Sequence, residues 1–173
     1  ADWTVADLGC GTGLVAAELA PYVKRVIGVD QSQAMLKTAR KRAAEHDNVE
    51  LRCGDLEALP LDDGEANAAV PSIVLTYVDD PVTVLTESAR VVRPGGRIVV
   101  IDLLRHERDD LRTQMGQRPP CFETHELESM LAHAGLHRLQ CRPLPPSRRP
   151  NAPASVLPAP PPSPLTTPHA HHN

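Results

Sequence analysis

The sequence lacks several features, and each absence argues against a class of protein. No apolar run is long enough to span a membrane and nothing resembles a signal peptide, so we expect a cytoplasmic protein without a membrane partner. No block of lysine or arginine occurs and the net charge is only -4, which argues against nucleic-acid binding by this domain. The four cysteines are widely spaced without a C-x-x-C pair, so we predict a reduced compartment and no metal site.

The two ends of the chain are also unusual in what they omit. The chain begins at Ala1 and enters an apolar run almost at once. We therefore expect it to be a fragment or a processed product that lacks the residues before its first strand. No aspartate or glutamate follows Glu128, and eleven of the 18 prolines lie between Pro143 and Pro168. Such a segment has neither the apolar pattern nor the backbone donors of a sheet. We therefore predict one α/β domain over residues 1–142 and a disordered, polyproline-like tail over residues 143–173.

A glycine-rich stretch near the start of the chain, Val5–Gly13, organises the rest of the domain. A short apolar run ends in an acid, glycines follow at every second position, and Leu14–Leu19 has helical spacing. This order predicts a strand, a tight turn and a helix. Glycine suits such a turn because it accepts positive φ and lets a bound molecule lie against the backbone. The free N–H groups at the start of the helix favour an anionic group, so the stretch is a candidate cofactor cradle.

The second predicted strand, Lys24–Asp30, ends in another acid. A carboxylate at the carboxyl end of a parallel strand could accept hydrogen bonds from both hydroxyls of a ribose. The alternative is that Asp30 or Ser32 only caps the following helix, which is predicted to run from Ser32 to about His46. On that helix, Met35 could touch an adenine ring or could belong to the core.

The spacing of the glycines distinguishes between two kinds of cofactor. A dinucleotide site has the pattern G-x-G-x-x-G, whose third glycine would fall at Leu14. The string D-x-G-x-G-x-G, from Asp7 to Gly13, instead resembles the first motif of class I S-adenosylmethionine-dependent methyltransferases. That resemblance implies a Rossmann-like three-layer αβα sandwich with a mostly parallel sheet. It also implies that the cofactor is S-adenosyl-L-methionine.

Other segments carry the same resemblance in the same order along the chain. The run Gly54–Pro60 is similar to the family pattern in which an Asp carboxylate accepts from the adenine amine and the next N–H donates to the ring. These roles would fall to Asp55 and Leu56, the alternative being a cap at the start of the loop. The run Arg90–Asp102 is typical of the helix end and fifth strand of the family. The cofactor-binding residues that the resemblance implies are Asp7, Gly9, Cys10, Gly11, Gly13, Asp30, Gln31, Met35, Asp55, Leu56 and Ser72.

The loop after the fourth predicted strand, Pro71–Pro81, lies at the catalytic position of the family. Family members that act on exocyclic amines of nucleobases, or on glutamine, often carry Asn/Asp-Pro-Pro-Tyr/Phe here, and this chain does not match. The histidines that relatives often have near Thr76 and Tyr77 are also missing. The catalytic residue is therefore unassigned. His106 is the nearest candidate for a general base, with a solvated surface histidine as the alternative.

The last part of the domain is predicted to hold a lid, a helix and one more strand. Residues 104–122 would cover the acceptor, Thr124 would cap a helix running to Ala134, and Leu136–Cys141 would form a sixth strand. In the family a seventh strand returns antiparallel between strands five and six. Ala154–Leu157 is short and is bounded by prolines, so we expect the seventh strand to be missing.

Three functions are consistent with these motifs. The first is S-adenosylmethionine-dependent methyl transfer to a small-molecule acceptor. The layout is similar to ubiquinone and menaquinone biosynthesis methyltransferases. The segments Leu75–Pro81 and His106–Arg112, the latter before Cys121–Leu127, are more similar still to methyltransferase domains fused to arsenic-repressor-type regulators. The second is a degenerate or regulatory module, such as a fragment of a regulator, that binds the cofactor without turnover. The third is a nicotinamide-dependent dehydrogenase, which Leu14 disfavours. The dispersed cysteines give no sign of the converging thiols that arsenic methylation needs.

Overall fold

The structure, a computed structural model, describes residues 1–103, 122–137, 140–143 and 155–158. Its helices and strands, in chain order, are β1 (Thr4–Leu8), α1 (Leu14–Leu19), a 3-10 turn (Ala20–Tyr22), β2 (Arg25–Asp30), α2 (Gln33–Arg42), β3 (Val49–Cys53), β4 (Ala66–Pro71), α3 (Pro81–Val91), β5 (Val92–Ile98), β6 (Asp102–Leu103), α4 (Thr124–His133), β7 (Cys141–Pro143) and β8 (Ser155–Pro158). Strands and helices alternate from β1 to β3.

The central sheet contains five parallel strands in the order β3-β2-β1-β4-β5. The chain moves outward from β1 through β2 to β3, and then returns to the other side of β1 with β4 and β5. This reversal makes the carboxyl ends of β1 and β4 a topological switch point, where open α/β sheets form their ligand crevice. The predicted Rossmann-like fold is confirmed, and the glycine-rich stretch lies at this switch point.

The core consists of apolar clusters packed against both faces of the sheet. Successive residues of a strand point to opposite faces, so Leu8 packs in one cluster with Ile27, while Val5 packs in another with Val70. The strands β1, β2 and β4 are buried along most of their length, as expected for parallel strands covered on two sides. In the part of the chain that the structure describes, no helix combines the length and the apolar character needed to cross a bilayer.

The helix starts follow local capping chemistry. The Ser32 hydroxyl caps α2 by accepting from the Met35 N–H at 3.3 Å. The helix ends at Arg42, earlier than the predicted end at about His46. The Asp80 carboxylate caps α3 by accepting from the Val82 and Thr83 N–H groups. The predicted cap at Thr124 is wrong, because the residue before it forms a capping box: the Glu123 N–H donates to the Glu126 carboxylate at 2.7 Å.

The last three strands form a small antiparallel sheet in the order β6-β8-β7. The expectation that a strand returning antiparallel is missing is therefore wrong. Ser155, Val156 and Leu157 retain their N–H groups, and Pro158 stands at the end of the strand, where a missing donor costs least. Strand β8 also lies within the segment predicted to be a tail, and the rest of that segment outside Pro143 and β8 lies beyond the described residues.

Candidate cofactor-binding site

The glycine-rich loop connects β1 to α1 and turns over the end of β2. The N–H groups of Gly9 and Cys10 both donate to the Val29 carbonyl, at 2.8 and 2.9 Å. Gly9, Gly11 and Gly13 have φ values of +73°, +51° and +76°, a region that favours glycine. The alternating glycines predicted from the sequence are therefore required by the backbone itself.

The three glycines are needed for different reasons. A methyl group on Gly9 would overlap the Val74 side chain, and one on Gly13 would lie 2.8 Å from Ala39 Cβ on helix α2. A methyl group on Gly11 would meet nothing closer than a backbone oxygen at 4.0 Å. Gly9 and Gly13 thus serve close packing, whereas the missing side chain of Gly11 leaves open space in front of the loop.

Asp30 anchors this loop from the end of β2. One carboxylate oxygen accepts from the Gly11 N–H at 2.8 Å, and the other accepts from the Ser32 N–H at 2.8 Å. The Asp30 carboxylate therefore also binds the backbone at the start of α2, which was the alternative role predicted for it. Its side chain is only half-buried, and each oxygen has a second lone pair. A ribose contact stays a prediction.

Asp7 is the most strongly perturbed acid near the loop. It is fully buried, and neither carboxylate oxygen has a hydrogen-bond partner. Burial raises the pKa of Asp7 from 3.8 to about 7, with a smaller rise from the negative charge of Asp30, although the nearby N–H of Ala16 lowers it. An acid kept in this state favours a proton or a cation beside it.

Cys10 lies in the loop, but its thiol faces the sheet. A methyl group placed on Gly28 would lie 3.1 Å from Cys10 Sγ, so the thiol packs over the glycine of β2. Burial, together with the charges of Asp7 and Asp30, raises the pKa of the Cys10 thiol to about 12. The thiol is therefore neutral at physiological pH and is a poor nucleophile, and only the backbone of Cys10 remains available to a ligand.

The remaining predicted cofactor residues lie on loops at the same edge of the sheet. Gln31 is exposed, and Met35 is 45% exposed, so Met35 does not belong to the core. Asp55 is exposed and accepts from the Glu57 N–H at 2.9 Å, which is the cap weighed as its alternative role. Leu56 is half-buried against two core clusters.

Ser72 continues from β4 on the other side of β1. Its N–H donates to the Leu8 carbonyl at 3.4 Å, and the residue forms a β-bridge with Ile101. His106 lies outside the described residues. Within the described residues, no three His, Cys, Asp or Glu side chains are grouped as a metal ion would require.

Two arginines that sequence reasoning did not single out hold these loops in place. Arg42 on α2 donates to the carbonyl and the hydroxyl of Thr12 in the glycine loop, at 2.9 and 2.6 Å. Arg90 on α3 donates to the carbonyls of Leu59 and Leu61 in the β3–β4 connection, at 3.2 and 2.9 Å. Each pair is about thirty residues apart in sequence, a separation that local patterns do not reveal.

Glu87 completes the second of these attachments. It pairs with Arg90 on the same helix and accepts from the Leu59 N–H at 2.9 Å. The Arg90 guanidinium holds the pKa of Glu87 below its usual range. The connection that carries Asp55 and Leu56 is therefore tied to α3 at both a carbonyl and an N–H group of Leu59.

Together these features define an α/β domain with a candidate cofactor cradle at the switch between β1 and β4. A family model for a methyltransferase domain matches residues 6–100, which include the last three residues of β1, all of β2 to β5 and every predicted cofactor residue. The chain belongs to this methyltransferase domain family.

Individual relatives give the same family. A protein of Halobacterium salinarum named arsenite methyltransferase is 32% identical over 152 residues, covering 81% of this chain and 39% of that protein. A demethylmenaquinone methyltransferase of Clavibacter sepedonicus is 40% identical over 98 residues, covering 57% of this chain and 40% of that protein. The crystal structure of a methyltransferase from Methanosarcina mazei covers 91% of both chains with a TM-score of 0.72 and 20% identity, a likeness of fold. This chain spans less than half the length of both curated relatives.

Proposed function

We propose that this chain binds S-adenosyl-L-methionine and catalyses transfer of the methyl group to a small-molecule acceptor in the cytoplasm. The observation that carries the proposal is a buried, unpartnered acid, Asp7, directly before a glycine loop in which Gly11 faces open space. Membership of the methyltransferase domain family supports the reaction, and the names of the two relatives support a small molecule as acceptor.

The residues of the site suit the chemical groups of this cofactor. Its ammonium group would compensate the buried charge of Asp7. The free lone pairs of the Asp30 carboxylate could accept from the ribose hydroxyls without releasing Gly11. By resemblance to the family, Asp55 and the N–H of Leu56 would take the edge of the adenine ring.

The protein's own contribution to the reaction is alignment. When bound, the cofactor supplies a methyl group that its sulfonium already activates. The loops after β1 and β4 must then fix that end of the cofactor, bring the acceptor atom into line and keep water out. On the loop after β4, Thr76 is buried and Tyr77 is 44% exposed, and neither is assigned as a general base.

Calorimetric titration of the folded chain with S-adenosylhomocysteine tests cofactor binding. We expect Asp30→Ala to weaken binding by about 1 to 3 kcal/mol, because a charged acceptor is lost. We expect Gly11→Val to abolish it, because the side chain enters the open space of the cradle.

Gly95→Val is the matched control for Gly11→Val. Gly95 also has a positive φ, +80°, and a side chain there meets nothing within 4 Å. Both variants bear the same kind of backbone strain, about 1 to 3 kcal/mol, but only Gly11 lies in the cradle. Normal binding by Gly11→Val, or equal loss in both variants, would contradict the proposed cradle.

Methyl transfer is tested separately with a labelled methyl group. Arsenite and a demethylated quinone are the first acceptors to try, because the two relatives carry those substrates in their names. Labelled product with any small molecule supports the enzyme. Binding of S-adenosylhomocysteine with no transfer to any acceptor would indicate a regulatory module, and binding of a nicotinamide dinucleotide alone would refute the proposal.

A further inference from the structure

The loop after β4 has a strained backbone at Ile73. Its φ is +53°, a left-handed conformation that a β-branched residue rarely adopts. Such a conformation persists only where the surrounding structure holds it, and residues of this kind are concentrated at functional sites. The contacts that hold Ile73 therefore indicate which residues set the shape of this loop.

Two hydrogen bonds from the neighbouring chain segment hold the loop on either side of Val74. The Ile73 N–H donates to the Ile101 carbonyl at 2.6 Å, and the Leu75 N–H donates to a carboxylate oxygen of Asp102 at 2.9 Å. Asp102 is 2% exposed, so the second bond is shielded from water. A hydrogen bond to a buried carboxylate is stronger than one in water, and its loss leaves a buried donor unpaired.

The residue between these two bonds contacts the glycine loop. The side chain of Val74 fills the space beside Gly9, where a methyl group on the glycine would overlap it. The Ser72 N–H also donates to the Leu8 carbonyl, directly before Gly9. A shift of Val74 would therefore change the space available to the glycine loop.

The order of strands places this loop at one end of the proposed cofactor. Asp55 follows β3 and Asp30 ends β2, and these are the residues proposed for the adenine and the ribose. The glycine loop follows β1, and β4 is the next strand in the same direction. The part of the cofactor beyond the ribose would thus lie towards residues 72–76.

We infer that Asp102 is a positioning residue that holds residues 72–76 in the conformation required by the amino-acid end of the cofactor. This inference rests on the proposed function. In this role Asp102 acts through the Leu75 N–H, and so through the neighbouring Val74. Its backbone pairs with Val156 of β8, and that pairing does not need the carboxylate.

The test compares two ligands on the same variants. S-adenosylhomocysteine carries the amino-acid end, whereas 5′-methylthioadenosine keeps only the adenosine and the sulfur. We expect Asp102→Ala to weaken binding of the first ligand about tenfold, and of the second by less than about twofold. Asp102→Asn is the matched control: its amide oxygen can still accept from the Leu75 N–H, so both affinities should stay within about threefold.

Adding Ile73→Gly separates positioning from general loss of structure. Glycine adopts positive φ without strain, so the double variant Asp102→Ala/Ile73→Gly should recover at least about threefold of the lost S-adenosylhomocysteine affinity. If Asp102→Ala does not fold, Asp102→Val replaces it, because valine suits a buried strand residue and offers no acceptor.

The outcomes are distinguishable. A wild-type chain that binds neither ligand refutes the proposed function itself. A wild-type chain that binds both, with Asp102→Ala or Asp102→Val weakening both equally or neither, refutes only the positioning role. Absence of recovery in the Ile73→Gly double variant also counts against it, because the proposed strain would then not be what Asp102 opposes.

Discussion

Replacing Asp7 with asparagine should change how the stability of the free protein depends on pH. Asp7 is fully buried without a hydrogen-bond partner, and its pKa is raised from 3.8 to about 7. A raised pKa means that the folded state binds the proton more tightly than the unfolded state. Ionisation of Asp7 above neutral pH therefore costs stability, and protonation below it restores that stability.

The size of the effect follows from the two pKa values. The difference between 3.8 and about 7 corresponds to about 4 kcal/mol of unfolding free energy at pH above both values. As the pH falls from about 8 to about 5, wild type should recover about 3 kcal/mol through this group. Asparagine has no proton to gain, so the Asp7→Asn variant should lack this contribution.

Urea denaturation, followed by circular dichroism at about pH 5 and about pH 8, measures both proteins without ligand. The cost of burying the asparagine amide does not depend on pH, so it cancels when each protein is compared with itself. Glu50 and Glu65 form salt bridges with Arg52, and Glu87 forms one with Arg90, so the pKa of each of these glutamates is lowered. These contributions are the same in both proteins and also cancel. Parallel pH profiles for wild type and Asp7→Asn would refute the assignment of a raised pKa to Asp7.

Binding of S-adenosylhomocysteine should also reveal the protonation state of Asp7. If the cofactor's ammonium compensates Asp7, S-adenosylhomocysteine should lower the pKa of Asp7 and release a proton at about pH 6. Calorimetry in two buffers with different ionisation heats detects that proton. Asp7→Asn should release less, and equal release by both proteins would place the ammonium elsewhere.

Two further substitutions test the packing around the site. Gly13→Val should destabilise the fold by about 3 kcal/mol, because strain at positive φ is added to a clash with Ala39. Gly135→Val is the control, because Gly135 has a φ of +77° and a side chain there meets nothing within 4 Å, so this variant should show the strain alone. Equal losses of unfolding free energy in urea denaturation would argue against tight packing of α1 on α2. Arg90→Ala should cost about 1 to 2 kcal/mol and weaken S-adenosylhomocysteine binding, because the β3–β4 connection loses its attachment to α3. Unchanged binding would show that this attachment does not position Asp55.

Much of the fold could be predicted because its signals are local. An apolar run followed by Asp7 and alternating glycines specifies strand, turn and helix within a few residues. A polar residue before a helix, as at Asp80, acts over a single turn. The wrong prediction of a cap at Thr124 also had a local cause. Glu123 and Glu126 form a capping box, so the helix is capped by Glu123 and not by Thr124.

The expectation that the last antiparallel strand, β8, is missing was wrong for a different reason. Prolines around Ser155–Pro158 argue against a strand when the segment is considered alone, but pairing on both sides depends on β6 and β7. Only the folded chain brings those partners together. Contacts with partners far away in the sequence can thus outweigh local propensity.

The sequence by itself determined the fold class, the position of the glycine loop and the acids at the strand ends, because each depends on neighbours along the chain. Only the tertiary structure decided what each residue does there. It separates Gly11, which faces open space, from Gly9 and Gly13, which allow close packing. It also leaves Asp7 buried without a partner and brings Asp102 to the loop after β4, because burial and long-range hydrogen bonds exist only once distant segments have packed together.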